Sequence, residues 1–174
     1  MNVADYRVSP IEPPEPPLVR FERFLRARGR RMTSQRRIIV TEVFSHHDHF
    51  DAEDLMEHLR ERMNSREVSR PTVYRTLSEL VEAGLLKRMV IRDRYVYEHE
   101  YGYPEHDHLY CQGCHQLFEF RSEALRHIRE SVAREYDFEA VTHRMMIIGW
   151  CSQCRAKRDS GQMADANNPP RAQM

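Results

Sequence analysis

All four cysteines of this 174-residue chain fall in two C-x-x-C pairs, Cys111-Gln-Gly-Cys114 and Cys151-Ser-Gln-Cys154. A C-x-x-C turn aims two thiolates at one point, and two such turns close the tetrahedral four-sulfur shell that zinc prefers. Structural zinc on Cys111, Cys114, Cys151 and Cys154 is the sharp reading; a thioredoxin-like redox pair and four buried free thiols are the alternatives. The interval between the pairs exceeds the roughly 15 to 20 residues of a zinc ribbon, so the ion would clip both ends of the intervening segment together. Binding of this kind contributes about 10 to 16 kcal/mol in isolated peptides. A small unit obtains less than that from packing, so loss of zinc should unfold it.

A second ligand-rich stretch runs from Glu98 to His108 (EHEYGYPEHDH). On an extended segment His106 and His108 point to one side and Asp107 to the other. Two imidazoles with carboxylates from Glu98 and Glu119 make a site of borderline hardness, suited to Fe(II), Mn(II), Co(II) or Zn(II). His49 is available elsewhere in the chain. The bland alternative is a solvated polar loop.

The third chemistry is basic. Arg28, Arg30, Arg31, Arg36 and Arg37 cluster around the start of one helical segment, and Arg70 and Arg75 flank Tyr74 on another, with Thr72 in its first turn. Arginines near a recognition helix suit phosphate and guanine contacts, and a tyrosine can touch a base or a thymine methyl. A solvated helix face is the alternative.

These groups need elements to hold them. Leu18, Phe21, Phe24 and Leu25 recur at helical spacing before Gly29, a C-terminal cap. A second helix starts after Thr33-Ser34 with Ile38, Ile39, Val43 and Phe44 on one side. A third, N-capped by Asp51 with Asp54 three residues on, is expected to run through Leu55, Met56, Leu59 and Met63. A fourth opens at Ser69 with Pro71 in its first turn, carries Val73, Leu77, Leu80 and Val81, and ends at Gly84. Leu85 to Ile91 and Arg94 to Tyr97 then read as a hairpin turning at Arg92-Asp93. Helices followed by a hairpin make a winged helix-turn-helix, with the Ser69 helix as reader. The later residues predict a different unit: a strand at Leu117 to Phe120, a capped amphipathic helix from Ser122 to Tyr136 (Leu125, Ile128, Val132, Tyr136), and a β-prone stretch from Phe138 to Ile148.

The fold class expected is therefore α+β: a flexible Pro-rich arm (1–17), a winged-helix DNA-binding domain (18–98), a zinc-stapled α+β dimerisation and metal-binding domain (99–158) and a flexible tail (159–174). The formal net charge is zero, with 27 Lys and Arg against 27 Asp and Glu. That total hides a partition, because residues 18–95 hold 17 basic against 12 acidic groups and residues 96–158 hold 8 against 10. A basic surplus in the helical half suits a nucleic-acid partner. No run of about 18 apolar residues exists, which excludes a transmembrane helix, and the first thirty residues lack the pattern of a secretory signal. A cytoplasmic protein with no membrane partner is expected.

Taken together, the residues resemble the ferric uptake regulator (Fur) family of metal-responsive repressors. The matching stretches are Gly29 to Arg37 (GRRMTSQRR), His49 to Leu55 (HFDAEDL), Pro71 to Leu77 (PTVYRTL), Ala83-Gly-Leu85, His106 to Cys114 (HDHLYCQGC), Leu117 to Phe120 (LFEF) and the second C-x-x-C. They cover residues 20 to 155 in order.

The resemblance implies a homodimer whose winged helices read a palindromic double-stranded operator, and no small-molecule substrate or catalytic residue. By position, Tyr74 and Arg75 correspond to base- and phosphate-contacting residues of the recognition helix, with Arg36, Arg70 and Thr72 in support, and Arg31 to the basic residue that reaches the minor groove. The four cysteines correspond to the structural zinc site, and His49, Glu98, His106, His108 and Glu119 to the regulatory metal site. Asp107 and His143 fit an additional metal site, but Glu105 stands where a histidine is common and Arg126 where a glutamate is expected. A cation there would replace the metal, or Glu123 would substitute as ligand. The function implied is an Fe(II)-responsive repressor of iron-uptake genes, with Mn(II), Co(II) or Zn(II) as possible substitutes. Within the family a zinc-uptake or peroxide-stress regulator is the alternative; in another class, a non-haem iron enzyme with a two-histidine, one-carboxylate site.

Overall fold

The computed structural model describes residues 8, 11–46 and 48–162. The expected arm and tail thus lie partly outside the described residues, at 1–7, 9–10 and 163–174. The described chain forms two compact units, the first ending at Pro104 and the second beginning at Glu105.

In the first unit, apolar residues at helical spacing form α1 (Pro17–Ala27), α2 (Ser34–Val43) and α5 (Arg70–Glu82). Phe21, Leu25, Ile39, Val40, Val73, Leu77 and Leu80 from these helices are fully buried in one core. At about 1.5 to 3 kcal/mol per large side chain, this core dominates the unit's stability. The Thr33 hydroxyl accepts from the Arg36 N–H to cap α2. At α3 (Ala52–His58) the Asp51 carboxylate accepts from the Glu53 and Asp54 N–H groups, while Asp54 accepts from the Asp51 N–H, a reciprocal cap.

The third helix is not one rod, as its periodicity predicts. It breaks at Leu59, where ψ flattens to 7°, and resumes as α4 (Arg60–Asn64). Leu59 is 1% exposed, so the bend accompanies a side chain drawn into the core.

The hairpin forms from β2 (Leu86–Ile91) and β3 (Arg94–His99), with Arg92 and Asp93 both at positive φ, 50° and 62°. Two left-handed residues give a turn whose twist matches the strands. A two-residue strand, β1 (Phe50–Asp51), which the sequence does not announce, adds to the other edge of β3 with Phe50 opposite Tyr97. Helices plus a three-stranded wing make the first unit a winged helix. Residues 11–16 of the expected arm are attached to it: the Ile11 N–H donates to the Gly102 carbonyl at 2.9 Å, and the Tyr101 hydroxyl donates to the Glu15 carbonyl at 3.1 Å.

The second unit is a three-stranded sheet in the order β5-β4-β6 with α6. β4 (Asp107–Cys111) pairs antiparallel with β5 (Leu117–Phe120) and parallel with β6 (Met146–Gly149). The parallel pairing requires a crossover, which α6 (Glu123–Glu135, capped by Ser122) supplies. Of the stretch expected to be strand from Phe138 to Ile148, only its last three residues belong to β6; the remainder is irregular. A terminal helix, α7 (Ser152–Asp159), carries Cys154 and runs past the expected domain boundary into the tail.

Candidate metal centres and nucleic-acid interface

The sheet of the second unit brings the two cysteine pairs together. Cys111 ends β4, Cys114 lies in the turn after it, Cys151 N-caps α7 and Cys154 sits in that helix's first turn. All four sulfurs lie within 4.8 Å of one another, and Cys114 Sγ is 3.9 Å from Cys151 Sγ. Four thiolates at a Zn–S distance of 2.3 Å would stand about 3.8 Å apart on a tetrahedron, so the donors fit zinc. No disulfide joins them.

The backbone prepares this cluster for negative charge. Burial raises the Cys111 thiol, but N–H groups of Cys151, Cys114 and Gly113 outweigh it and bring the thiol down to about 6. Cys154, where burial and the neighbouring thiols add, is pushed up to about 12. Gly113 is required by space: a Cβ there would lie 2.7 Å from Cys154 Cβ and 2.8 Å from its sulfur.

Strand register assembles the remaining candidate ligands as two half-sets. In the first unit, β1 pairs antiparallel with β3, and extending that register by one residue puts His49 opposite Glu98. His49 Nε2 is 3.2 Å from Glu98 Oε2, with the carboxylate side chain only 7% exposed. In the second unit, Glu119 of β5 stands directly opposite His108 of β4. His106, two residues before His108, shares its face; the two rings lie 4.9 Å apart edge-on, and His106 Nε2 is 3.8 Å from Glu119 Oε1. The His106 side chain is 3% exposed, and His108 is buried.

On the opposite face Asp107 belongs to another constellation. His143 Nε2 donates to Asp107 Oδ2 at 3.1 Å. Arg129, from α6, donates to Glu105 Oε2 at 2.6 Å and lies 3.3 Å from His143 Nδ1. Thr142 and the His143 N–H add hydrogen bonds to Glu105. Burial raises the Glu105 carboxyl, but these donors, the guanidinium foremost, hold it below the usual range. Glu105 and His143 thus meet a side-chain cation, and Asp107 joins them through His143. The cation comes from Arg129 and not from Arg126, which pairs with Glu123 on the helix surface.

Two arginines of the basic set have different tasks. Arg36 is 13% exposed and grips Glu79 of α5 with two bonds, 2.9 and 2.7 Å, while a third reaches the Arg31 carbonyl at 2.7 Å. Arg30 donates to the same buried carboxylate at 2.9 Å. Arg36, expected among DNA contacts, is here a strut between α2 and α5 that also fixes the backbone at Arg31. Arg31 and Arg75 are exposed, and Tyr74 is 45% exposed on α5. The Tyr74 hydroxyl and the Arg70 guanidinium both donate to Glu53 of α3, at 3.2 and 2.6 Å. Thr72 shares a 2.8 Å hydroxyl contact with Ser69 at the helix start. Spacing does not distinguish Glu53, Glu79 or Arg129 in the sequence; each is one charge among many until the fold supplies its partner.

Residues 27–148 match the model of the ferric uptake regulator family. The ferric uptake regulation protein of Rhizobium leguminosarum bv. viciae is 38% identical over 125 residues, covering 70% of this chain and 84% of the relative. A solved zinc-bound manganese uptake regulator is 36% identical with a TM-score of 0.53, covering 75% of this chain and 98% of that one. The Helicobacter pylori ferric uptake regulator shares the fold with a TM-score of 0.70 at 21% identity, covering 83% of this chain and 97% of that one. With residues 27–148 matched to the family and a relative 38% identical over 125 residues, this chain belongs to the ferric uptake regulator family of metal-dependent, DNA-binding transcriptional regulators.

Proposed function

We propose that this chain is a cytoplasmic, homodimeric repressor of iron-uptake genes whose corepressor is Fe(II). The observation that carries the reading is the pair of half-sets built by strand register: His49 with Glu98 in the winged helix, and His106, His108 and Glu119 in the second unit. Two ligands or three make an incomplete shell for a six-coordinate ion; the five together, with oxygen and nitrogen donors only, suit Fe(II) or Mn(II). In this reading one regulatory ion takes ligands from both units. It then favours one placement of the DNA-reading helix by its differential affinity for that placement. Cys111, Cys114, Cys151 and Cys154 hold structural zinc throughout.

The DNA-facing set in this reading is Arg31, Arg70, Thr72, Tyr74 and Arg75, with Arg36 acting through its hold on α5 and on the Arg31 backbone. Two recognition helices in a dimer enter successive major grooves of a palindrome. Dimerisation is supported by the apolar surface of the second unit. Ile128, Val132 and Tyr136 along α6, and Ile147 and Ile148 on the sheet, are all more than 40% exposed, and large apolar side chains left exposed in such number suit an interaction surface. Sedimentation of Val132→Glu as a monomer that retains its zinc is the result expected if α6 faces the second copy.

The test of the metal reading is promoter binding by the zinc-loaded protein with and without Fe(II) or Mn(II), beside the His106→Ala/His108→Ala variant. The expected result is metal-dependent binding that the variant lacks while keeping its zinc; equal affinity with and without the ion would falsify the reading. A second reading, manganese as the cellular signal, is favoured by the 36% identity to a manganese uptake regulator. Repression of a reporter in iron-starved and manganese-starved cells separates the two. A zinc-uptake sensor more often uses a sensory cysteine, and all four here belong to the structural cluster. A peroxide sensor favours aspartate where Glu98 and Glu119 stand.

A further inference from the structure

We propose that Glu42, His46 and His58 form a separate metal site on the surface of the winged helix, for a borderline divalent ion such as Zn(II), Ni(II) or Cu(II). None of the three belongs to the ligand sets described above. Glu42 lies in the last turn of α2, and His46 lies three residues beyond the helix end with its ring against the Glu42 carboxylate. His58 is the last residue of α3, and arrives from a different element. Glu42 Oε1 is 3.1 Å from His46 Nε2 and 3.9 Å from His58 Nδ1, and the three donor atoms lie within 4.8 Å of one another. Ligands at Zn–N and Zn–O distances near 2.0 Å would stand about 3.3 Å apart on a tetrahedron. Only a small closure of His58 is needed to reach that.

Ion pairs to Glu42 would hold each imidazole separately. They do not require the two rings to stand 4.5 Å apart, where two protonated imidazoles would repel. Two imidazoles and one carboxylate leave room for water in the remaining position, the pattern of an exchangeable site and not of a closed structural one.

The electrostatics favour a cation independently of the ligands. α2 ends here, so the negative end of its dipole lies beside the group. α2 has no basic residue in its last turn to offset its end. Side-chain exposures of 52% for His46 and 46% for His58 leave the site open to ions from solvent. An ion bound there would tie the end of α2 to the end of α3, bracketing the stretch that contains His49.

The test uses the full-length, zinc-loaded chain carrying His106→Ala and His108→Ala, so that the regulatory set does not contribute. Zn(II) binding is counted by equilibrium dialysis and mass spectrometry, with and without the further pair His46→Ala and His58→Ala. The expected result is one ion fewer per chain in the second protein, and at least a tenfold weaker exchangeable site in Glu42→Gln. Added Cu(II) should show imidazole-nitrogen hyperfine coupling that the His46/His58 pair removes. Equal Zn(II) stoichiometry in the two proteins overturns the proposal. That outcome leaves the metal dependence of promoter binding, which rests on other residues, untouched.

Discussion

Arg129 donates to Glu105 across 24 residues of sequence, at 2.6 Å, and thereby sets a guanidinium where Glu105 and His143 converge. A fixed side-chain charge needs no ion from the cell, so these contacts themselves do not depend on the metal concentration. Arg129→Ala should destabilise that unit by about 1 to 2 kcal/mol, the usual range for hydrogen bonds to a charged group at partial exposure, read from urea denaturation. Arg129→Glu should convert the constellation into a four-ligand site and raise the metal content by one ion per chain.

The same pair predicts an acid response. The folded protein holds the Glu105 carboxyl below its unfolded value. Its stabilising contribution is therefore complete above the ordinary carboxylate range and is lost as pH falls through the lowered folded value. Unfolding followed from pH 7 to pH 3 should show a shallower acid loss for Arg129→Ala than for the parent chain; parallel curves would refute the assignment.

Gly113 lies 2.8 Å, measured from the position its Cβ would take, from Cys154 Sγ. Gly113→Ala should weaken zinc retention about 10- to 100-fold, the effect typical of changes beside a metal's ligands. Chelator competition reads this directly, and loss of zinc should be accompanied by unfolding of the second unit.

Glu79 is 3% exposed and binds both Arg36 and Arg30. Removing one partner of a buried ionic cluster costs about 3 to 5 kcal/mol, so Glu79→Ala should lower the melting temperature of the winged helix sharply. Arg36→Lys should lose much of the same stability, because an ammonium cannot reproduce the two-bond grip. A change in DNA affinity without any change in melting temperature would assign Arg36 to DNA instead.

Glu53 holds Arg70 and Tyr74 through one carboxylate oxygen. Glu53→Gln removes a negative charge beside α5, the proposed reader of DNA, and loosens both side chains. Non-specific DNA binding should strengthen, its salt dependence should steepen, and discrimination between operator and random sequence should fall, all measurable by titrations at several salt concentrations.

Local chemistry is legible in the order of the amino acids. Ligand types and spacing point to zinc on four cysteines, helical periodicity gives α1, α2, α5 and α6 within a residue or two, and ordered motifs give the family. These features depend on neighbours within a turn or a strand, where spacing and side-chain type suffice. The break at Leu59, the two-residue strand β1 and the parallel placement of β6 are not legible there, because each is decided by packing against distant residues. The sequence by itself determined which atoms were available: soft sulfurs in two pairs, alternating histidines, and a basic surplus in the helical half. Only the tertiary structure decided which charges meet, placing Arg36 on Glu79 across 43 residues, Arg129 on Glu105, and His49 opposite Glu98. Among 27 basic and 27 acidic side chains a sequence offers many possible pairs, and a buried charge selects the one partner that the register and helix packing bring within hydrogen-bonding distance.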